Sequence, residues 1–319
     1  MITFQRKYVC YEAGKAMEMT LNLAGTDIII KFLGHAKKAI PLCNQFFRNF
    51  LRPGQRENAE NRVNIVITKN GGFPVRAMDQ NSGFEQLVPI LEIEARMRKL
   101  IDPMDDFPIS ERTICSTCPD GLLLFNPDTN NGRIYIFNQV TNSFPSLYKL
   151  LWIYFAQVLG EKGTCFLHAA ALVKNKEGHI LMGDSGAGKS TIARLCSDCC
   201  VFSDDGPIFL DSNGEYKVFP SPYHQLDPIN GLDKKIIQRN AKVKGLYFIK
   251  KDNKVLLKNI SKKRAFSMIL KRHIHFFPYL SAKAKSILFD LFFDVCNAVP
   301  IYNLHFGRDL DVWRVITAD

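Results

Sequence analysis

Along the first 140 residues, short apolar runs stand between glycine, asparagine, proline and aspartate turns: Asp27 to Phe32, Val63 to Thr68, Leu122 to Phe125 and Arg133 to Phe137. Runs of this length bounded by turn formers predict strands. Longer stretches around Ala36 to Phe50 and Ser146 to Leu159 predict helices, so the first half reads as a mixed, strand-rich domain.

From Thr164 the pattern changes. CFLHAAALV predicts a strand, HILMG a second strand entering a glycine-rich loop, Lys189 to Ser197 a helix, and CCVFSDD a further strand. PIFLDSNGEYKVF predicts a hairpin turning at Asn213-Gly214. A strand over Gly245 to Lys250, helices around Lys262 to Arg272 and Ala282 to Cys296, and a last strand over Pro300 to His305 complete the reading. Strands and helices in alternation predict an α/β layer. The expected boundary falls near Gly160 to Gly163, giving a smaller mixed α+β domain over 1–162 and an α/β domain over 163–319.

Composition fits this picture. With 319 residues, 46% hydrophobic and 23% charged, the chain can bury sizeable cores, and two domains are expected. The first residues contain no apolar signal region, and the longest apolar stretch, Leu147 to Leu159, is interrupted by Lys149 and too short to span a bilayer. A soluble, cytoplasmic protein without membrane association is the expectation. Nine cysteines at scattered spacings predict free thiols. Cys115/Cys118 and Cys196/Cys199/Cys200 each resemble half of a zinc site.

The net charge of +11 changes the picture more, since it points to acidic partners. Much of the excess lies over 234–272, which reads either as a solvated basic face or as a docking surface for an acidic protein partner. Nucleic acid is a weaker alternative, because no aromatic-interleaved motif accompanies the charge.

The chemistry concentrates in one segment. Gly183, Asp184, Ser185, Gly186, Ala187, Gly188, Lys189 and Ser190 fit G-x-x-x-x-G-K-[ST] between a predicted strand and a predicted helix. In this reading the glycines at 183, 186 and 188 permit positive φ and close approach, so backbone amides converge on an anion. Lys189 reaches the β and γ phosphates, Ser190 offers its hydroxyl to Mg²⁺, and Thr191 adds a hydrogen bond to phosphate. The apolar strand ending at Asp204 and Asp205 then supplies one carboxylate for the metal and one to take a proton, with their assignment left open.

A strand histidine, His168, ahead of GDSGAGKST and followed by a short helix and a strand ending SDD, resembles the catalytic domain of the HPr serine kinase/phosphorylase family. That family's relatives are PEP-carboxykinase-like and include kinases of peptide-modification clusters. The resemblance covers about residues 163 to 306 and includes PSPY at 220–223, VKGLYFIKKD and VPIYNLHF. It implies a phosphate-loop fold of that class, ATP and Mg²⁺ as cofactors, and a γ-phosphate grip over Gly183 to Thr191. It also implies metal and proton roles for Asp204 and Asp205, and a place for His168 beside the γ-phosphate or the acceptor. His224 and Arg239 are candidate acceptor-pocket residues.

The resemblance stops at the segment DPINGLDKKIIQRNAKVKG, which does not match the family's E-I-R-G-x-G type. HPr as substrate, and the reverse phosphorylase reaction, therefore do not carry over. The expected acceptor is a hydroxyl of a peptide, a protein or a small-molecule alcohol, and the oligomeric state, a homo-oligomer included, is open. The competing reading is a nucleotide-gated scaffold with little transfer. The chain has neither an LSGGQ-like signature nor an N-K-x-D guanine motif, which argues against ABC-type ATPases and GTPases.

Overall fold

In the computed structural model, the described residues are 11–13, 16–52, 60–67, 110, 112–137, 140–196, 199–223, 240–307 and 312–316. They form a mixed α and β protein dominated by two sheets with few helices. The chain divides into two compact units, Met1–Val158 and Leu159–Asp319.

The first unit holds a seven-stranded sheet. In chain order its strands are β1 (Tyr11–Ala13), β2 (Ala16–Leu23), β3 (Thr26–Leu33), β4 (Asn61–Ile67), β5 (Ile114–Cys118), β6 (Gly121–Asn126) and β7 (Asn131–Ile136). Their order in space is β1-β2-β3-β4-β7-β6-β5, with β3-β4 and β4-β7 parallel and the other pairs antiparallel. The predicted helix over Ala36 to Phe50 is shorter and begins as a 3₁₀ segment, Gly34–Ala39, becoming α only at Ile40–Phe47, where Pro41 occupies the first turn. A proline there forfeits no helical hydrogen bond.

The helix Val140–Gly160 starts earlier than its apolar periodicity suggests and carries Pro145 inside it, past the first turn, where one helical hydrogen bond is forgone. Its Tyr154 and Phe155 pack edge-on against Phe125 and Phe47. No helix of the described residues is long and apolar enough to cross a membrane.

The second unit holds a nine-stranded sheet. Its strands are β8 (Thr164–Phe166), β9 (Ala169–Lys174), β10 (Glu177–Met182), β11 (Cys200–Ser203), β12 (Ile208–Ser212), β13 (Glu215–Phe219), β14 (Ala241–Lys251), β15 (Leu256–Asn259) and β16 (Ile301–Phe306). The path runs β11-β9-β10-β14-β13-β12-β8, with β16 added to β14 and β15 to β16. Only β10-β14 and β14-β16 are parallel neighbours. Because β9 is antiparallel to both β10 and β11, those two strands run the same way with β9 between them. Their carboxyl ends therefore open on one edge of the sheet.

CFLHAAALV is two strands rather than the single one its apolar run suggests. β8 pairs with β12 and β9 with β10 and β11, so the chain changes partners at Leu167–His168. Leu167 bridges Ile274 there. The expected helix over Lys262 to Arg272 is α only to Met268 and continues as a π turn, Ile269–His273, that brings His273 and His275 towards the strand break.

The expectation of free thiols needs one correction. Cys196 and Cys199 are paired in a disulfide just past the helix Lys189–Leu195. Cys43, Cys115, Cys118, Cys165, Cys200 and Cys296 are outside any disulfide, and among the described residues no group of three or more His, Cys, Asp or Glu side chains is placed to hold a metal.

At Gly132 an added Cβ would lie 2.6 Å from the ring of the fully buried Tyr154. Overpacking against an immobile ring costs roughly 1–3 kcal/mol. Gly132→Ala is expected to lower the denaturant midpoint accordingly, with the loss measured by chemical unfolding.

Candidate functional site

The glycine-rich loop leaves the carboxyl end of β10 and closes into the helix Lys189–Leu195. Gly186 (φ +76°) and Gly188 (φ +108°) take left-handed conformations that a side chain rarely adopts. Gly183 does not, so its role is close approach alone: a Cβ there would lie 2.8 Å from both Ala187 Cβ and Ile249 Cγ1. A Cβ on Gly188 would lie 2.5 Å from Phe306 Cζ, so the end of β16 forms the floor of the loop. Ala187 N–H donates to Asp184 O, closing the turn.

Lys189 is 7% exposed. Its ammonium donates to the Gly183 carbonyl at 2.7 Å and to His168 Nε2 at 3.1 Å. Burial lowers its pKa, and the fields of Asp205, Asp184 and Asp204 oppose that shift. Accepting from the ammonium puts the imidazole hydrogen on Nδ1. His168 Nε2 also lies 3.4 Å from Asp205 Oδ1. Burial first and the Lys189 charge second hold His168 below its ordinary pKa, so at neutral pH the imidazole is a neutral acceptor rather than the cation of an ion pair.

The two aspartates are held differently. Ser203, fully buried, donates its hydroxyl to Tyr223 O and accepts from the backbone N–H groups of Asp205 and Gly206. That hydroxyl locks the end of β11. Asp204 is 2% exposed, and Ser190 Oγ donates to its Oδ2 at 3.4 Å. Asp205 keeps its side chain 15% exposed towards His168, while its carbonyl accepts from His275 Nε2 at 2.9 Å and from Ala169 N–H.

Loop, lysine, histidine and both carboxylates line a single cavity of about 610 Å³. The structure thus brings His168, Asp184 to Thr191, Asp204 and Asp205 to one cavity, while Gly183 stands behind its lining and holds the Lys189 ammonium through its carbonyl. His224 and Arg239 lie outside the described residues, as do Lys234 and Lys235 of the basic stretch. Of its described remainder, Lys242 and Lys244 pair with Glu215 and Glu177 on the sheet surface.

Four features were not read from the sequence. Arg272, on the π turn, pairs with Asp184 of the loop at 3.2 Å. His273 and His275 flank His168 with ring centroids 6.2 and 5.2 Å away. The turn over Lys251, Asp252 and Asn253 forms the far wall of the cavity. None lies in a local motif; a π turn and a parallel strand pair put them here.

Residues 139–316, more than half of the chain, match the family described as SynChlorMet cassette protein ScmC. The chain belongs to the ScmC family. The matched span contains the whole cavity, so the loop, His168, the aspartate pair and Arg272 all lie within the ScmC region. No curated protein matches the chain.

Ser190 and Asp204 also suit a divalent cation. A hydroxyl and a carboxylate, both hard oxygen donors 3.4 Å apart, are the kind of pair that holds hydrated Mg²⁺ when substrate phosphates complete the shell.

Burial holds His179, His273 and His275 each at about 4, and lowers His168 too. Between about pH 6.5 and 4 the unfolded chain takes up protons that the folded chain refuses, so stability is lost as pH falls through that window. The thermal midpoint is expected to be insensitive to these groups above about pH 6.5 and to drop by several degrees towards pH 4. His179→Phe, remote from the cavity, should recover part of the drop; a midpoint independent of pH in wild type would contradict the neutral burial of these rings.

Proposed function

We propose that the protein is an ATP-dependent kinase that transfers the γ-phosphate to a hydroxyl acceptor on a peptide, a protein or a small-molecule alcohol. In this reading its second unit has a phosphate-loop fold of the HPr-kinase and PEP-carboxykinase class. The observation that carries the proposal is the approach of Ser190 to Asp204, with Asp205 beside His168 on the same cavity. An anion-binding loop alone would need neither carboxylate.

The difference in surroundings divides the two acids. Asp204, buried and reached by the Ser190 hydroxyl, suits the metal, and Asp205, facing the open cavity, suits the proton. Mg²⁺ held by Ser190 and Asp204 would neutralise charge on the β and γ phosphates. Loop amides and Lys189 hold the triphosphate. Asp205 takes the proton of the acceptor hydroxyl as its oxygen forms a bond to the γ phosphorus; the bond from that phosphorus to the β–γ bridging oxygen breaks, and ADP leaves. His168, neutral and hydrogen-bonded to Lys189, orients the ammonium towards the reacting phosphate.

The test is incubation with γ-labelled ATP and Mg²⁺ in the presence of cell extract. Wild type is expected to label an acceptor and Lys189→Ala to label none. Asp205→Asn should bind ATP as wild type does and transfer roughly 10²–10⁴-fold more slowly, the usual range for a lost general base. Nucleotide binding with slow hydrolysis and no labelled acceptor would favour a nucleotide-gated scaffold; transfer by Asp205→Asn at the wild-type rate would remove Asp205 as base.

A further inference from the structure

The cavity extends beyond the loop to other strand ends. The strands β10, β14 and β16 are parallel neighbours, so their carboxyl ends emerge together. The first end carries the glycine-rich loop. The other two carry the Lys251–Asn253 turn and Phe306–Gly307, and all of these line the one cavity of about 610 Å³. Pockets of about 300–1,000 Å³ accommodate drug-sized ligands, and ligands in such sheets sit outside the carboxyl ends of the strands.

The far turn is built rather than loose. Asp252 N–H donates to Phe306 O at 2.8 Å, tying the turn to the strand whose ring floors the loop. The Asp252 carboxylate accepts from Asn253 N–H at 2.6 Å and from His305 Nδ1 at 2.7 Å. His305 thereby keeps that carboxylate below its ordinary pKa. Asp252 is the post of the turn, and the side chains on either side of it are left for solvent or ligand: among the described residues, neither the Lys251 ammonium nor the Asn253 side-chain amide has an intramolecular partner. An amide offers a donor and an acceptor side by side, the pattern a nucleobase edge or a ribose hydroxyl pair presents.

We propose that Lys251 and Asn253, braced by Asp252, form the subsite for the nucleoside end of a nucleoside triphosphate whose phosphates lie in the glycine-rich loop. This rests on the phosphate-binding reading above and adds what it lacks, a determinant that distinguishes a nucleotide from a bare polyphosphate. Lys189, His168 and Asp205 mark the γ end of the cavity, so the chain of phosphates leads away from them towards this turn.

The test measures binding of Mg-ATP and of Mg-tripolyphosphate to the full chain by calorimetry, for wild type and Asn253→Ala. Asn253 is exposed, so the variant should fold, with an unchanged thermal midpoint as its check. The expected result is at least five-fold weaker ATP binding with tripolyphosphate affinity within two-fold of wild type. Unchanged ATP affinity, or equal losses for both ligands, would overturn the subsite while leaving the loop reading intact. Failure of wild type to bind either ligand would overturn the loop reading, and the subsite with it.

Discussion

Buried charge governs the second unit. Lys189 and Asp204 are almost wholly withdrawn from water, and a buried ion is tolerated only where opposite charge and hydrogen bonds compensate its lost hydration. The ammonium finds a carbonyl of its own loop, a neutral imidazole and the field of three carboxylates. Asp204 finds the Ser190 hydroxyl. Each of these groups needs the others in place, so the loop, the strand break and the end of β11 are constrained as one unit.

The sheet supplies that constraint through one antiparallel strand. β9 lies between β10 and β11, so both run in the same direction, and the helix Lys189–Leu195 need only reach across one strand to return the chain beside the loop. The same strand begins at the break where His168 sits. Backbone bonds across the break, His168 N–H to His273 O and His275 N–H to Phe166 O, bring a second histidine-bearing segment against it. Burial keeps these imidazoles neutral, so they pack beside the buried cation without adding charge to it. Ser203 finishes the arrangement by tying the backbone at Asp205 and Gly206 to the Tyr223 carbonyl through a single hydroxyl.

The disulfide between Cys196 and Cys199 lies just past the same helix. Cys196 also packs into the apolar cluster around Leu172, Ile192 and Trp313 beneath the loop, so the end of the helix is fastened both covalently and by packing. Spacing alone left that pair open between thiol and metal ligand, since Cys-x-x-Cys serves both chemistries. The proximity of the two side chains at a helix end decides it.

Most of the strands were legible, because apolar runs between turn formers have few alternatives: Thr26–Leu33, Gly121–Asn126 and the hairpin at Asn213-Gly214 lie where the sequence predicts them. So was the order of strand, glycine-rich loop, short helix and strand leading to Asp205, since the apolar runs and glycines there leave few alternatives. Hidden from any linear reading were the break at His168, the π turn that delivers Arg272, His273 and His275, and the Lys251–Asn253 wall. Local sequence determined which residues carry charge, turn or bury. Which of them meet was decided by strand pairing, because a partner change at Leu167, which bridges Ile274, and a parallel pairing of β14 with β16 join residues distant in the chain through backbone hydrogen bonds that no side-chain pattern records.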